Sequence, residues 1–303
     1  MRRRTWGAVG VTTLVFVACF LVILGIRILG EPGAAPFGRG RVAIVEVDGL
    51  IVDAERVIRE LERATDDPSV RAIVVRVQSP GGVVAPTQEI HAAIARVRAR
   101  GKPVVASMGS VAASGGYYLS AAADRIVANP GTLTGSIGVI MQLAELQELL
   151  KKVGVHYDIV KAGRYKDTGN ISRPLTPEER AILQSLLDDM YDQFVEAVAS
   201  GRHLARSAVL TLADGRVYSG RRARELGLVD QLGGLDDAVR LAGELGGISG
   251  KPRVLRPRRP TRLTDWLEWL LGSSSVLSLS PGLMGGTTLP LLGAAKLPLY
   301  LMD

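Results

Sequence analysis

The sequence predicts an α/β domain on a largely parallel sheet with helices on both faces, preceded by a transmembrane helix. Three observations carry this expectation. Apolar, β-branched runs recur at Arg41–Val47, Arg71–Val77 and Lys102–Ser107, as in strands buried on both faces. Stretches with helical spacing separate them, and such alternation builds parallel sheets through crossover helices. Finally, Arg2, Arg3 and Arg4 precede an uncharged run from Trp6 to Ile26, and about 20 apolar residues cross a bilayer's hydrocarbon core.

The chain has 303 residues, 47% of them hydrophobic, enough for a sizeable core. A secretory signal peptide competes for the first segment, but its apolar region is usually about 7–15 residues and ends in a small-x-small site. Here the run is longer and continues to Arg27. Cys19, the only cysteine, follows Phe16-Val17-Ala18; a lipoprotein cleavage box is disfavoured because the apolar run carries on past it. Positive charges before the span keep the N-terminus cytoplasmic and send the rest outside the inner membrane.

Four parts follow: stub and anchor (1–30), a Pro/Gly-rich tether (31–40), a folded domain (41–245), and a basic linker with an apolar tail of little structure (246–303). Within the domain, helices are expected over Asp53–Thr65, Val84–Val97, Leu143–Val153 and Pro177–Ala199, with another short one through Tyr118 and Ala122. Further strands are expected at Arg125–Ala128, Ile137–Met141 and His156–Lys161. Asp214–Asp230 reads as a closing turn and helix.

The formal charge is +7, but much of the excess is local, since Lys251–Arg262 holds basic residues and no acids. This reads as a solvated linker, or as a contact with an anionic membrane surface. Aromatic-interleaved basic patches are absent, so nucleic acid is not an expected partner. Neither His-Glu-x-x-His nor a cysteine pair occurs, and no metal or other cofactor is expected.

One serine stands out, in Gly109-Ser-Val-Ala-Ala-Ser-Gly-Gly-Tyr-Tyr118. A nucleophilic serine needs a sharp strand-to-helix turn and bare amides for the developing oxyanion. Ser114 followed by Gly115 meets both needs; tight packing of a helix on a sheet explains the segment equally well. Ser79-Pro80-Gly81-Gly82 offers a second amide set, and the Gly82 N–H could complete an oxyanion hole. A phosphate cradle is its rival, without a Gly-x-x-x-x-Gly-Lys-Ser/Thr motif in support.

The serine also needs a base. His91, His156 and His203 each read as structural or exposed, and neither Gly-x-Ser-x-Gly nor Ser-x-x-Lys occurs. The chain has only seven lysines, and Lys166 sits in the polar loop Gly163–Pro174. As a base near neutral pH its pKa must fall from about 10.4 by roughly three units, which burial can supply. An exposed lysine paired with Asp167 is the competing reading.

These segments together resemble the bacterial signal peptide peptidase A family, in its short, single-copy form. The resemblance runs from about Val42 to Asp230 and rests on five segments: Ser79–Gly82, Met108–Tyr118, Asn129–Val139, Gly163–Asp167 and Asp214–Tyr218. It implies a Clp protease/crotonase-like fold of repeated ββα units and a serine protease with a Ser-Lys dyad. It implies Ser114 as nucleophile, Lys166 as general base and Ser136 as the hydroxyl orienting the lysine amine. No histidine follows Ser114 before His156, unlike the Clp-type triad, and a crotonase-type enzyme has no nucleophile like Ser114.

The resemblance further implies membrane-derived apolar peptides as substrates, remnant signal peptides among them, and a homo-oligomer of eight copies in which neighbours complete the sites. An inactive membrane scaffold of the same fold, or a protease for one membrane protein, are the alternatives. The apolar stretch Leu297–Asp303 could lie in the substrate groove or associate with membrane.

Overall fold

A computed structural model of the chain describes residues 40–256 and the short strand Leu299–Tyr300. The expected span over Trp6–Ile26 lies outside these residues. Among the described residues no helix is long and apolar enough to cross a bilayer.

Five strands form the main body of the sheet. β1 (Arg41–Asp48), β2 (Val70–Ser79) and β4 (Val104–Ala113) lie side by side in parallel. β5 (Arg125–Ala128) pairs with the first half of β4, and β6 (Leu133–Gly135) with its last three residues. The sheet divides there for a visible reason. Between Val77 and Ser79 of β2 the register on β4 jumps from Met108 to Ala112, so Gly109–Val111 bulge out and turn the strand. The Gln78 side chain satisfies the displaced ladder, accepting from the Ser110 N–H at 2.8 Å.

Helices cover both faces. Ala43, Val45 and Val47 of β1 face the larger core, shared with α1 (Glu55–Asp66), α2 (Val84–Ala99), α3 (Gly115–Ser120) and α5 (Pro177–Arg202). Val42 and Ile44 face the smaller one, under Ala238, Val239 and Ala242 of α8 (Leu235–Leu245). Alternate residues therefore enter opposite cores, which is why these strands read as continuous apolar runs. Ile73, fully buried in β2, illustrates the energetics: its truncation to alanine is expected to cost about 2–5 kcal/mol.

Several elements differ from expectation. The N-cap of the first helix is Ala54, not Asp53, although the Asp53 carboxylate just ahead of it accepts from Glu55 N–H at 3.0 Å. Ile137–Met141 forms no strand; β6 takes up Leu133–Gly135 instead, where Leu-Thr-Gly pairs with Val111–Ala113 of β4. The helix expected over Leu143–Val153 shortens to α4 (Gln147–Lys152). His156–Lys161 has strand-like alternation but no strand, and Val160 is 98% exposed. Two of the elements that went unanticipated bear on the sheet. α8 is one; the other is β9 (Arg253–Leu255), which joins the free edge of β1 although its basic residues read as linker.

The remaining elements close the far end of the sheet. α6 (Arg206–Leu210), β7 (Val217–Ser219), α7 (Gly220–Glu225) and β8 (Gln231–Leu232) follow α5. β7 runs antiparallel to β6. A separate two-stranded sheet joins β3 (Gly82–Val83) to β10 (Leu299–Tyr300), antiparallel, with Leu299 opposite Val83 and Tyr300 opposite Gly82.

Candidate active site

Ser114 sits where β4 ends and α3 begins, with φ 52° and ψ −118°. Left-handed backbone at a non-glycine residue costs about 1–3 kcal/mol and persists only where its surroundings impose it. The surroundings are on both sides. The Ser114 N–H donates to the Gly135 carbonyl at 2.8 Å, and its own carbonyl accepts from Tyr118 N–H at 2.8 Å. Behind the turn, a Cβ on Gly116 would lie 2.8 Å from the Ser79 carbonyl oxygen, so only glycine lets α3 lie this close to β2. Tyr117, fully buried, fixes the helix by donating to the Leu228 carbonyl at 3.0 Å.

The hydroxyl held there is unusual. Ser114 is fully buried, and its Oγ has no hydrogen-bond partner among the described residues. An unpaired buried polar group costs about 1–3 kcal/mol. A hydroxyl kept at that cost on a strained turn makes Ser114 the candidate reactive group of this site.

Ser136 enters from the neighbouring strand. Gly135, whose carbonyl holds Ser114, has φ 79° and Ser136 has φ 48°; two successive left-handed residues turn the chain sharply beside Ser114. The Ser136 N–H donates to the Arg216 carbonyl at 2.9 Å, and the residue is 6% exposed. One step earlier, Thr134 straps β6 to β4 by donating to the Ala112 carbonyl at 2.7 Å.

The two glycines expected at an oxyanion hole also have structural reasons to be glycine or to be bare. Gly115 is the first residue of α3, where the N–H has no partner within the helix. Gly82 is pressed against Ile51: an added Cβ would stand 2.1 Å from the Ile51 carbonyl oxygen. Its approach is set by Gly81, at φ 113°, and by the Ser79 hydroxyl, which accepts from Gly81 N–H at 3.1 Å.

The histidines serve elsewhere. His91 packs edge-on against Tyr118, ring centroids 5.0 Å apart, and burial holds its pKa below the usual imidazole value. His203 ends α5 in the left-handed conformation, and His156 is exposed. Lys166 is exposed too, on a turn closed by its own N–H to the Gly163 carbonyl at 3.2 Å. Within one chain it makes no hydrogen bond to Ser114.

Nor is it paired with Asp167. That carboxylate, its side chain 8% exposed, is gripped by Lys161 through Oδ1 and by Arg173 through Oδ2, the latter at 2.9 Å. Arg173 reaches on to both oxygens of Glu179, at 2.8 and 2.5 Å. Glu179 and Thr176 form a capping box at the start of α5. Sequence reasoning missed this relay, although Thr-x-x-Glu ahead of a helix is a readable capping signal. The same contacts hold the Asp167 carboxyl below the usual range, Lys161 most strongly, and hydrogen bonds from Arg173 bring Glu179 down to about 2.

The comparisons with known proteins converge on one family. Residues 96–249 match the description Peptidase family S49. A Synechocystis sp. protein provisionally named as a protease is 45% identical over 212 residues, covering 69% of this chain and 76% of that one. Protease 4 of Haemophilus influenzae is 37% identical over 239 residues, 76% of this chain but 37% of its own length. The chloroplastic serine protease SPPA of Arabidopsis thaliana is 33% identical over 265 residues, 82% of this chain and 39% of its own. The chain thus spans about two fifths of these last two relatives. The family match takes in the strained serine turn and the lysine loop alike, and the chain belongs to peptidase family S49, among the serine peptidases of the signal peptide peptidase A type.

Proposed function

We propose that the chain is a membrane-anchored endopeptidase that cleaves apolar peptides, remnant signal peptides among them, with a Ser-Lys dyad. The buried, unpartnered Ser114 hydroxyl on its left-handed turn carries this reading. Lys166 removes the Ser114 proton as Oγ attacks the peptide carbonyl, with the amine oriented by Ser136. The Gly82 and Gly115 amides take the oxyanion, each donor being worth about 3–4 kcal/mol in comparable sites. The proton then passes from the lysine to the departing amine. Water, deprotonated by the same lysine, releases the acyl group and regenerates Ser114.

Peptide placement follows from β3. Its edge accepts an extended strand, as the pairing with Leu299–Tyr300 illustrates, and a substrate laid the same way passes its backbone along Gly82. A second copy of the chain completes the site in this reading. What supports it is the contrast between a buried Ser114 and a Lys166 on an arm of exposed apolar residues, Val153, Val155, Tyr157 and Val160 among them, a pattern that marks contact surfaces.

Two experiments test these proposals. A fluorophosphonate probe should label the full-length chain at Ser114 and spare Ser114→Ala; labelling elsewhere refutes the nucleophile. Mixing separately inactive Ser114→Ala and Lys166→Ala chains during expression should restore part of the activity where copies share sites. No recovery means that each chain holds its own dyad.

A further inference from the structure

Lys166 is followed directly by a carboxylate. An anion within about 4–6 Å of an amine stabilises its protonated form, and a lysine that must lose its proton near neutral pH is handicapped by such a neighbour. Both oxygens of Asp167 are nevertheless turned to other cations, Lys161 on one and Arg173 on the other. Lys161 also donates to the Arg164 carbonyl at 3.0 Å, across the base of the lysine turn. Arg173 continues to Glu179 and thereby ties the turn to the capped start of α5.

We propose that Lys161 and Arg173 are positioning residues for the general base: they hold the Asp167 carboxylate away from Lys166 and fix its turn on α5. The proposal rests on the assignment of Lys166 as base. The charged and titratable groups around the turn are Lys161, Arg164, Tyr165, Asp167, Arg173 and Glu179. Arg164 lies over the Tyr165 ring, 5.1 Å from its centroid. The adjoining 143–146 segment brings Leu143 against Gly169, while its carboxylate, Glu145, accepts from Gln147 N–H. Asp167 is therefore the anion beside the base, and the two cations decide where it points.

The test is the pH dependence of kcat/KM on a fluorogenic apolar peptide, using the full-length chain. Arg173→Met frees one Asp167 oxygen. The acid limb should move up by about one pH unit, seen as a roughly tenfold loss at pH 7 that recovers at higher pH. Adding Asp167→Asn to Arg173→Met should return the limb towards its original position, and Arg173→Lys should restore it in part. A loss equal at every pH, unrelieved by Asp167→Asn, overturns the proposal, because a purely structural arginine behaves that way. Should Arg173→Met fail to fold, Lys161→Met reads the same shift from the other oxygen, and an unmoved limb there counts against the proposal equally. Lys166→Ala is measured in parallel. Full activity in that variant removes the base assignment itself, whereas an inactive Lys166→Ala beside an unshifted Arg173→Met defeats this proposal alone.

Discussion

The serine half and the lysine half of the proposed site are built on opposite principles. Ser114, Gly115 and Ser136 are held by backbone hydrogen bonds, close glycine packing beside them and burial, all within one fold. Lys166 sits on an exposed arm between α4 and α5 whose order comes from ion pairs reaching from Lys161 to Glu179. The first half is preorganised at a cost in strain and unpaired polarity that a large core sustains. The second is fixed within its own turn yet stays open to solvent, so its chemistry depends on what covers it. The exposed arm leaves Lys166 in solvent, whereas the proposed role as a base calls for a low-dielectric environment.

The largest expected effect tests the rigid half. Ser114→Ala should lower turnover by at least about 10⁴-fold, the scale seen when a nucleophile is removed. Its melting temperature should not fall, because the substitution deletes a buried hydroxyl with no partner. A clear loss of stability in a calorimetric scan would make that hydroxyl structural. Next, Gly82→Ala forces a Cβ towards the Ile51 carbonyl at 2.1 Å. Displacing one oxyanion donor should cost about 10²–10³-fold in kcat. A variant with unchanged kcat would take Gly82 out of the hole.

The two halves were also unequally legible. The parallel strands were readable because burial on both faces leaves continuous apolar runs, and the Ser114 turn because small residues cluster only where backbones must approach. The lysine arm misled: Val155, Tyr157 and Ile159 alternate as a strand does, but alternation reports a pleat only when another strand pairs with it. β9 was hidden for the converse reason, since Arg253 and Arg256 flank only two apolar residues and edge strands carry charge. Only the Thr176–Glu179 end of the Arg173 relay had a local signature, the capping box; the arginine's own pairing had none. Its partners, Asp167 and Glu179, lie six residues to either side, and only the fold of the loop brings them together.

A smaller effect is expected from the far end of the sequence. Leu299–Tyr300 lies on the β3 edge beside Gly82, where a substrate strand would lie. A tethered segment competes at an effective concentration of about a millimolar, so removing residues 285–303 should lower KM several-fold and leave kcat unchanged. An unaltered KM would mean that the segment does not occupy the groove in solution. A change confined to kcat would point to the catalytic groups instead, and the steady-state split distinguishes the two.

The smallest effect separates the halves by acid. Glu179 is depressed from 4.5 to about 2, and Asp167 also lies below its usual value. A carboxyl whose folded pKa is lowered stabilises the fold fully above its unfolded value, and that contribution is lost as pH falls through the folded one. The ion pairs of the arm should therefore weaken between about pH 4.5 and 2, while the backbone hydrogen bonds around Ser114 carry no titrating group. Pepsin works in this window. Its cleavage within residues 155–175, normalised to an unfolded control, should rise as pH drops towards 2, with the β4–α3 junction intact. Glu179→Gln removes the acceptor charge and should bring the same cleavage on already near pH 4.5. Cleavage that starts at the serine turn, or that ignores pH in both proteins, would show that the two halves open together and that the ion pairs do not set the order of the arm.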